Sequence, residues 1–195
     1  DDLGMREKMR DELKGCLANP DGMVVFSALP LGGLQTTWNV GLTATDRYLR
    51  DFAAIEDKAH PFTHVENIEV FSFDGAAGQT PDSVLRTITL REPDVIVIPD
   101  FVTGTAIDSL CEYSLTQKRL ICASIRAKDG IEALLRILAL KPQQPDKFAA
   151  TVTAVLNQRL VRLLCETCRQ AYEPPDQLLQ KLGIPEGRVE VLDRE

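Results

Sequence analysis

No stretch of this chain approaches the roughly 18 consecutive apolar residues that a membrane-spanning helix needs, so its sequence offers no such span. Histidine is scarce, with His60 and His64 as the two examples, and both read as surface polar residues. Cysteine is odd in number at five, and Cys165 and Cys168 alone are closely spaced. Such a set does not make a disulfide framework and suits a reducing compartment. Cys16, Cys111 and Cys122 read as small core residues. Cationic charge is also short. The 22 Lys and Arg face 29 Asp and Glu, a formal net charge of −7 that argues against direct nucleic-acid or anionic-membrane binding. Internal repeats and low-complexity segments are absent. The chain opens Asp1-Asp2 with neither Met nor signal peptide, which leads us to expect a fragment of something longer.

What is present is ordinary for a globular domain. Over 195 residues, 44% are hydrophobic and 26% charged, enough for one domain with a single core. Residues 3–18 place Leu3, Met5, Met9, Leu13 and Leu17 at near-helical spacing. Asn19-Pro20-Asp21-Gly22 is a turn, and residues 23–26 form a short apolar run suited to a central strand. Further strands are expected at 52–55, 68–73, 94–100 and 120–124, with helices at 36–42, 81–90, 105–115 and 130–140. Residues 141–146 read as a linker, followed by a helix over about 148–164. The tail from Glu173 is rich in Pro and charge, with one short helix near 177–182. Strands alternating with helices predict an α/β domain with a mainly parallel sheet, here residues 1–164, with an extension over 165–195.

The run Val24-Val25-Phe26-Ser27-Ala28-Leu29-Pro30-Leu31-Gly32-Gly33-Leu34-Gln35-Thr36-Thr37 has the layout of a phosphate-binding loop: buried strand, glycine turn, helix start. That motif reads G-x-x-x-x-G-K-[ST], with backbone amides around phosphates, Lys on the terminal phosphates and a hydroxyl on Mg²⁺. Ala28 stands at the first Gly, Gly33 at the second, Leu34 at the Lys and Gln35 at the Ser/Thr. Taken alone, Gly32-Gly33 is equally well a plain strand-to-helix turn. The later segments lift the functional reading. Glu56-Asp57 follows the second strand, Asp100 closes the hydrophobic strand before it, and Ser124 to Arg126 end the next. Ligands of open α/β sheets bind beyond those carboxyl ends.

Leu17-Ala18-Asn19-Pro20-Asp21-Gly22-Met23-Val24-Val25, Ile55-Glu56-Asp57, Leu85-Arg86-Thr87-Ile88 and Glu92-Pro93-Asp94-Val95-Ile96-Val97-Ile98-Pro99-Asp100 look like four successive motifs of one family. So do Leu120-Ile121-Cys122-Ala123-Ser124-Ile125-Arg126 and Gln158-Arg159-Leu160-Val161-Arg162-Leu163-Leu164-Cys165-Glu166-Thr167-Cys168. On these strings nearly the whole chain resembles the secretion ATPases of type II secretion systems and type IV pilus assembly. The resemblance implies a RecA-like P-loop NTPase fold with a helical C-terminal extension. It implies ATP and Mg²⁺ as cofactors, and Gly32, Gly33, Leu34, Gln35 and Thr36 as the phosphate loop. Asp100 and Glu56 become the catalytic carboxylates, with Asp57 and Arg126 at the pocket rim. It further implies hexameric rings of this chain or mixed rings with a paralogous ATPase, docking on an inner-membrane assembly platform, and a cytoplasmic location peripheral to the bacterial inner membrane.

The departures matter as much. Leu34 cannot neutralise phosphate, and no lysine lies between Lys14 and Lys58. Losing one charged hydrogen bond costs about 1.5–3 kcal/mol. Gln35 offers an amide oxygen that fits an octahedral Mg²⁺ shell less well than a hydroxyl, and Thr36 compensates only if the helix start shifts by one residue. Pro99-Asp100 replaces the family's Gly-Glu, Val102 and Thr103 replace the Arg and Asp beyond it, and Arg126 replaces its histidine with a fixed cation. Cys165-x-x-Cys168 is half of the family's zinc knuckle, and a tetrahedral zinc needs four ligands. No Cys or His follows Cys168, so zinc is not expected on this chain alone. The expectation is a degenerate, inactive member with a structural or regulatory role. The alternative is an active hexameric motor with an atypical phosphate loop.

Overall fold

Three apolar runs decide the architecture, because strands covered on both faces carry side chains of one kind throughout. In the computed structural model, which describes residues 3–185 and 188–194, they are β1 (Gly22–Ala28), β4 (Val95–Ile98) and β5 (Leu120–Arg126). Asp1, Asp2, Glu186, Gly187 and Glu195, which belong to the expected opening and extension, lie outside the described residues. In chain order the first unit, residues 1–159, runs through α1 (Glu7–Ala18), β1, α2 (Leu34–Thr43), β2 (Phe52–Asp57), β3 (Glu69–Phe73) and α3 (Asp82–Thr89). It continues with β4, α4 (Gly104–Gln117), β5, α5 (Gly130–Ala139), α6 (Pro145–Thr151) and β6 (Val152–Gln158).

The six strands lie in the order β3-β2-β4-β5-β1-β6, and every pairing is parallel. Side-chain alternation then splits each strand between two cores. Met23, Val25, Ile96, Ile98, Ile121 and Ala123 meet Leu85, Ile107, Leu110, Ile137 and Phe148 of α3 to α6. Val24, Phe26, Val95, Val97, Leu120 and Cys122 meet Leu17, Trp38 and Leu42 of α1 and α2. Helices thus cover both faces. Parallel neighbours need these crossovers, and the crossovers put every strand's carboxyl end along one edge. Among the described residues no helix is long and apolar enough to cross a membrane.

One expected element is corrected. The helix foreseen over 148–164 is instead α6, which begins at Pro145 inside the expected linker, followed by β6. Proline suits a first helical turn, since its missing N–H has no partner there anyway. After Thr151 the β-branched Val152, Thr153 and Val155 favour extended backbone. β1 also has a second edge whose backbone groups need partners, and β6 supplies them. Residues 159–164 have no regular structure.

Residues 160–195 form a second unit. Within it β7 (Gln170–Tyr172) pairs antiparallel with β8 (Leu192–Arg194), and α7 (Asp176–Lys181) stands where the short helix was expected. The two strands were not anticipated.

Where β6 joins β1 the register shifts between Met23 and Val24. Thr153 bridges the gap: its Oγ1 accepts from Met23 N at 3.0 Å and lies 3.2 Å from Met23 O. Gly22 is required beside it, for a Cβ there would stand 2.3 Å from that hydroxyl, and its φ of 100° is left-handed. Thr153→Val keeps the shape and orphans the Met23 N–H. Urea unfolding is expected to show a loss of about 1–3 kcal/mol at unchanged m.

Candidate functional site

The chain leaves β1 at Ala28 and turns through residues 29–33. Gly32 N donates to Leu29 O at 2.8 Å, and a Cβ on Gly32 would press on that same oxygen at 2.8 Å. Gly33 opens α2 at a φ of 78°, a conformation that glycine adopts without the Cβ cost. Leu31 is also left-handed, at 61°, and 98% exposed. The end of β6 holds this turn. Gln158 Nε2 donates to Gly32 O at 2.8 Å, and Gln158 Oε1 accepts from Thr37 Oγ1. Asn157 Nδ2 donates to Ser27 Oγ at 2.9 Å and Ala127 O at 3.2 Å.

The first turn of α2 carries Leu34, Gln35 and Thr36. Leu34 is half-buried against the apolar cluster of Val24, Phe26, Trp38 and Leu42. Gln35 Nε2 donates to Phe62 O at 3.2 Å. Thr36 is exposed.

At the end of β2, Glu56 is 4% exposed and both of its oxygens are engaged: Oε1 by Thr63 N at 2.7 Å and Oε2 by Phe62 N at 3.1 Å. Asp57 accepts from Ala59 N at 2.9 Å. That N–H, with the N–H of Gly75 and the charge and imidazole of the neighbouring His60, outweighs partial desolvation and holds the Asp57 carboxyl below the ordinary aspartate range. Gly75 leaves the room, since a Cβ there would meet Asp57 Oδ2 at 2.5 Å.

Beyond β4, Pro99 O accepts from Ser124 Oγ, which ties the ends of β4 and β5. Desolvation pushes Asp100 above the ordinary aspartate value, against the opposing pull of Arg126 and the N–H of Phe101. Arg126 ends β5 and is exposed.

These strand ends enclose a cleft of about 780 Å³, lined by Leu34, Glu56, Asp57, Asp100, Ser124 and Arg126 among others. Leu34 is its one lining residue from the 28–37 stretch. Five residues assigned a site role on the sequence therefore meet in one place: Leu34, Glu56, Asp57, Asp100 and Arg126. His60 and Arg136 also line the cleft, although the first read as surface and the second as helix. Gln158, Phe62 and Thr63 carried no assigned role in the sequence. Gln158 did open the string that ends at Cys168, and that was its one signal.

Cys165 and Cys168 belong to the second unit and are exposed. The N–H groups of Thr167 and Cys168 point at the Cys165 sulfur and draw its pKa down. Arg169 N closes the turn on Cys165 O at 2.9 Å. Among the described residues no three His, Cys, Asp or Glu gather as a metal site. Burial pushes the Cys111 thiol up to about 11 and that of Cys122 up to about 12, while Cys16 is half-buried.

The sequence model of the type II/IV secretion system protein family matches residues 1–193. The type II secretion system protein E of Dickeya dadantii (strain 3937) is 27% identical over 185 residues, which is 95% of this chain and 36% of that protein. The type IV pilus assembly ATPase PilB of Thermus thermophilus is 24% identical over 190 residues, 97% of this chain and 21% of its own length. Among solved structures, the VirB11 ATPase of the Brucella suis type IV secretion system, in complex with sulphate, has a TM-score of 0.63 at 13% identity, covering 77% of this chain and 48% of that one. This last likeness concerns the fold alone, the RecA-like sheet with helices on both faces. The chain spans about a third of the length of the type II secretion relatives it matches.

Because the fold favours neutral Asp100, ionising it at neutral pH costs stability. Asp100→Asn is therefore expected to raise the thermal midpoint at pH 7. The advantage should shrink as pH falls through the raised pKa and vanish below the ordinary value of 3.8. Thermal unfolding of both proteins across that range measures it.

Proposed function

The chain belongs to the type II/IV secretion system protein family, and on that premise we propose that it is a degenerate, catalytically inactive member serving as a structural or regulatory component of a secretion or pilus machine. One observation carries this reading. The two positions that should supply a cation and a metal-binding hydroxyl hold Leu34, packed on apolar side chains, and Gln35, whose amide is bound to Phe62 O.

A family-type Mg²⁺ and phosphate arrangement does not fit these groups. Leu34 offers no charge in any rotamer. Releasing Gln35 would break a contact, and its longer amide fits an octahedral shell poorly. Loss of the lysine's charged hydrogen bond removes about 1.5–3 kcal/mol of phosphate binding, and more where charge develops during transfer. Glu56 supports the same reading, because using it on water or metal would strip two backbone amides of their acceptor. No chemical step is assigned to the cleft. The partners that suit such a subunit are a second copy of this chain, a ring of an active paralogue, or the assembly platform at the cytoplasmic side of the inner membrane.

A second reading, an ATP-hydrolysing hexameric motor, draws on Arg126, which lines the cleft and pulls on Asp100. There Arg126 would stand in for the lysine from the end of β5, the strand beside β1.

Titration with ATP and Mg²⁺ separates the two. The native chain is expected to show no turnover and weak or no binding, while the double substitution Leu34→Lys, Gln35→Ser should bind about 10- to 150-fold more tightly. Micromolar binding with Mg²⁺-dependent turnover by the native chain, lost in Asp100→Ala, would overturn the proposal in favour of the motor.

A further inference from the structure

The connection from β2 to β3 carries an arrangement that a simple loop does not need. Three consecutive residues in it, Phe62, Thr63 and His64, each bind α2. Phe62 O accepts from Gln35 Nε2 at 3.2 Å, Thr63 Oγ1 accepts from Trp38 Nε1 at 3.1 Å, and His64 N donates to Asn39 Oδ1 at 3.1 Å. Gln35, Trp38 and Asn39 are spaced i, i+3 and i+4, so they form one ridge of the helix. The connection therefore lies along that ridge from the first turn onwards.

Its other side is fixed as firmly. The N–H groups of Phe62 and Thr63 both point into the buried Glu56 carboxylate, and such charge-assisted bonds are roughly twice as strong as neutral ones. The Phe62 ring packs edge-on against Trp38 at 5.9 Å, and Trp38 in turn against Phe26 of β1 at 5.4 Å. Pro61 precedes this run and restricts its free states. Phe62 also lines the cleft beside Leu34. Phe62 thus joins helix, buried carboxylate and cleft wall.

We propose that residues 58–65 are an internal strap, latched by Gln35, that holds the start of α2 and the Phe62 wall of the cleft in one conformation without any ligand. The strap rests on the reading of Gln35 as withdrawn from metal service and adds the regulation of that same site. The helix start is fastened from within, and Gln35 sets how often the Phe62 wall opens. Because Gln35 itself is exposed, its substitution does not threaten the core.

The test uses the native chain, Gln35→Met, which keeps length and loses the donor, and Gln35→Ala, all without nucleotide. Trp38 is the single tryptophan of the chain, so acrylamide quenching reports its environment directly. Hydrogen exchange at Phe62 and Thr63 reports the strap itself. Both variants are expected to exchange about fivefold faster there, the weight of one neutral hydrogen bond, and to quench more readily, while Val24 and Val25 of β1 exchange as before. Unchanged exchange at Phe62 and Thr63 would overturn the latch, as would an equal acceleration in β1, since that is global loosening. Because no nucleotide is present, failure here leaves the ATP titration untouched, and failure of that titration leaves this result standing.

Discussion

A strand buried on both faces must pair all of its backbone groups sideways, and β1 lives under that constraint. Met23, Val24, Val25 and Phe26 are completely buried, so no water reaches their N–H and C=O groups, and leaving any of them unmade is expensive. β5 serves one edge and β6 the other, both in parallel. Parallel pairing demands that each strand return through a crossover, and the helices that make those returns complete the two cores. The convergence of Leu34, Glu56, Asp100 and Arg126 at one edge follows from this arrangement alone. No catalytic demand is needed to keep the four together, so the shape of the cleft does not depend on its chemistry.

That separation of scaffold from chemistry explains what the sequence disclosed. β1, β4 and β5 were legible because unbroken apolar runs such as Val95-Ile96-Val97-Ile98 have little other use in a chain of this composition. The strand-end residues were legible for the same reason, since a carboxylate directly after such a run has one edge to occupy. The stretch over 148–164 was not. Phe148, Val152, Leu156, Leu160 and Leu163 recur at intervals of three to four residues, which imitates a helix. The vacancy beside β1, some 130 residues away in the chain, decides the matter, and a local window cannot see it. The short strands β7 and β8 escaped for lack of any alternation long enough to read.

The candidate site divides along the same line. Leu34 and Gln35 were recognisable as departures because a motif fixes what belongs there. Their new partners were hidden. Phe62 acts through its carbonyl, its amide and its ring, and a carbonyl carries no residue-specific mark. Gln158 reaches Gly32 and Thr37 from more than a hundred residues downstream. Glu56 was visible as an acid after a strand, but its two bonds to backbone amides depend on the path of the following loop. Side chains that act on side chains of fixed type leave motifs, whereas those that hold backbone do not.

The placement of β6 also sets the order in which the molecule can assemble. β1 lies far upstream of β6, yet its second flank belongs to residues 152–158, near the end of the first unit. Until they arrive, a strongly apolar strand waits with one side open. Pairings this distant slow folding and lengthen exposure to aggregation. Gly22 and Thr153 fit each other where that last seam begins, so the seam closes only once residues this distant in the chain have met.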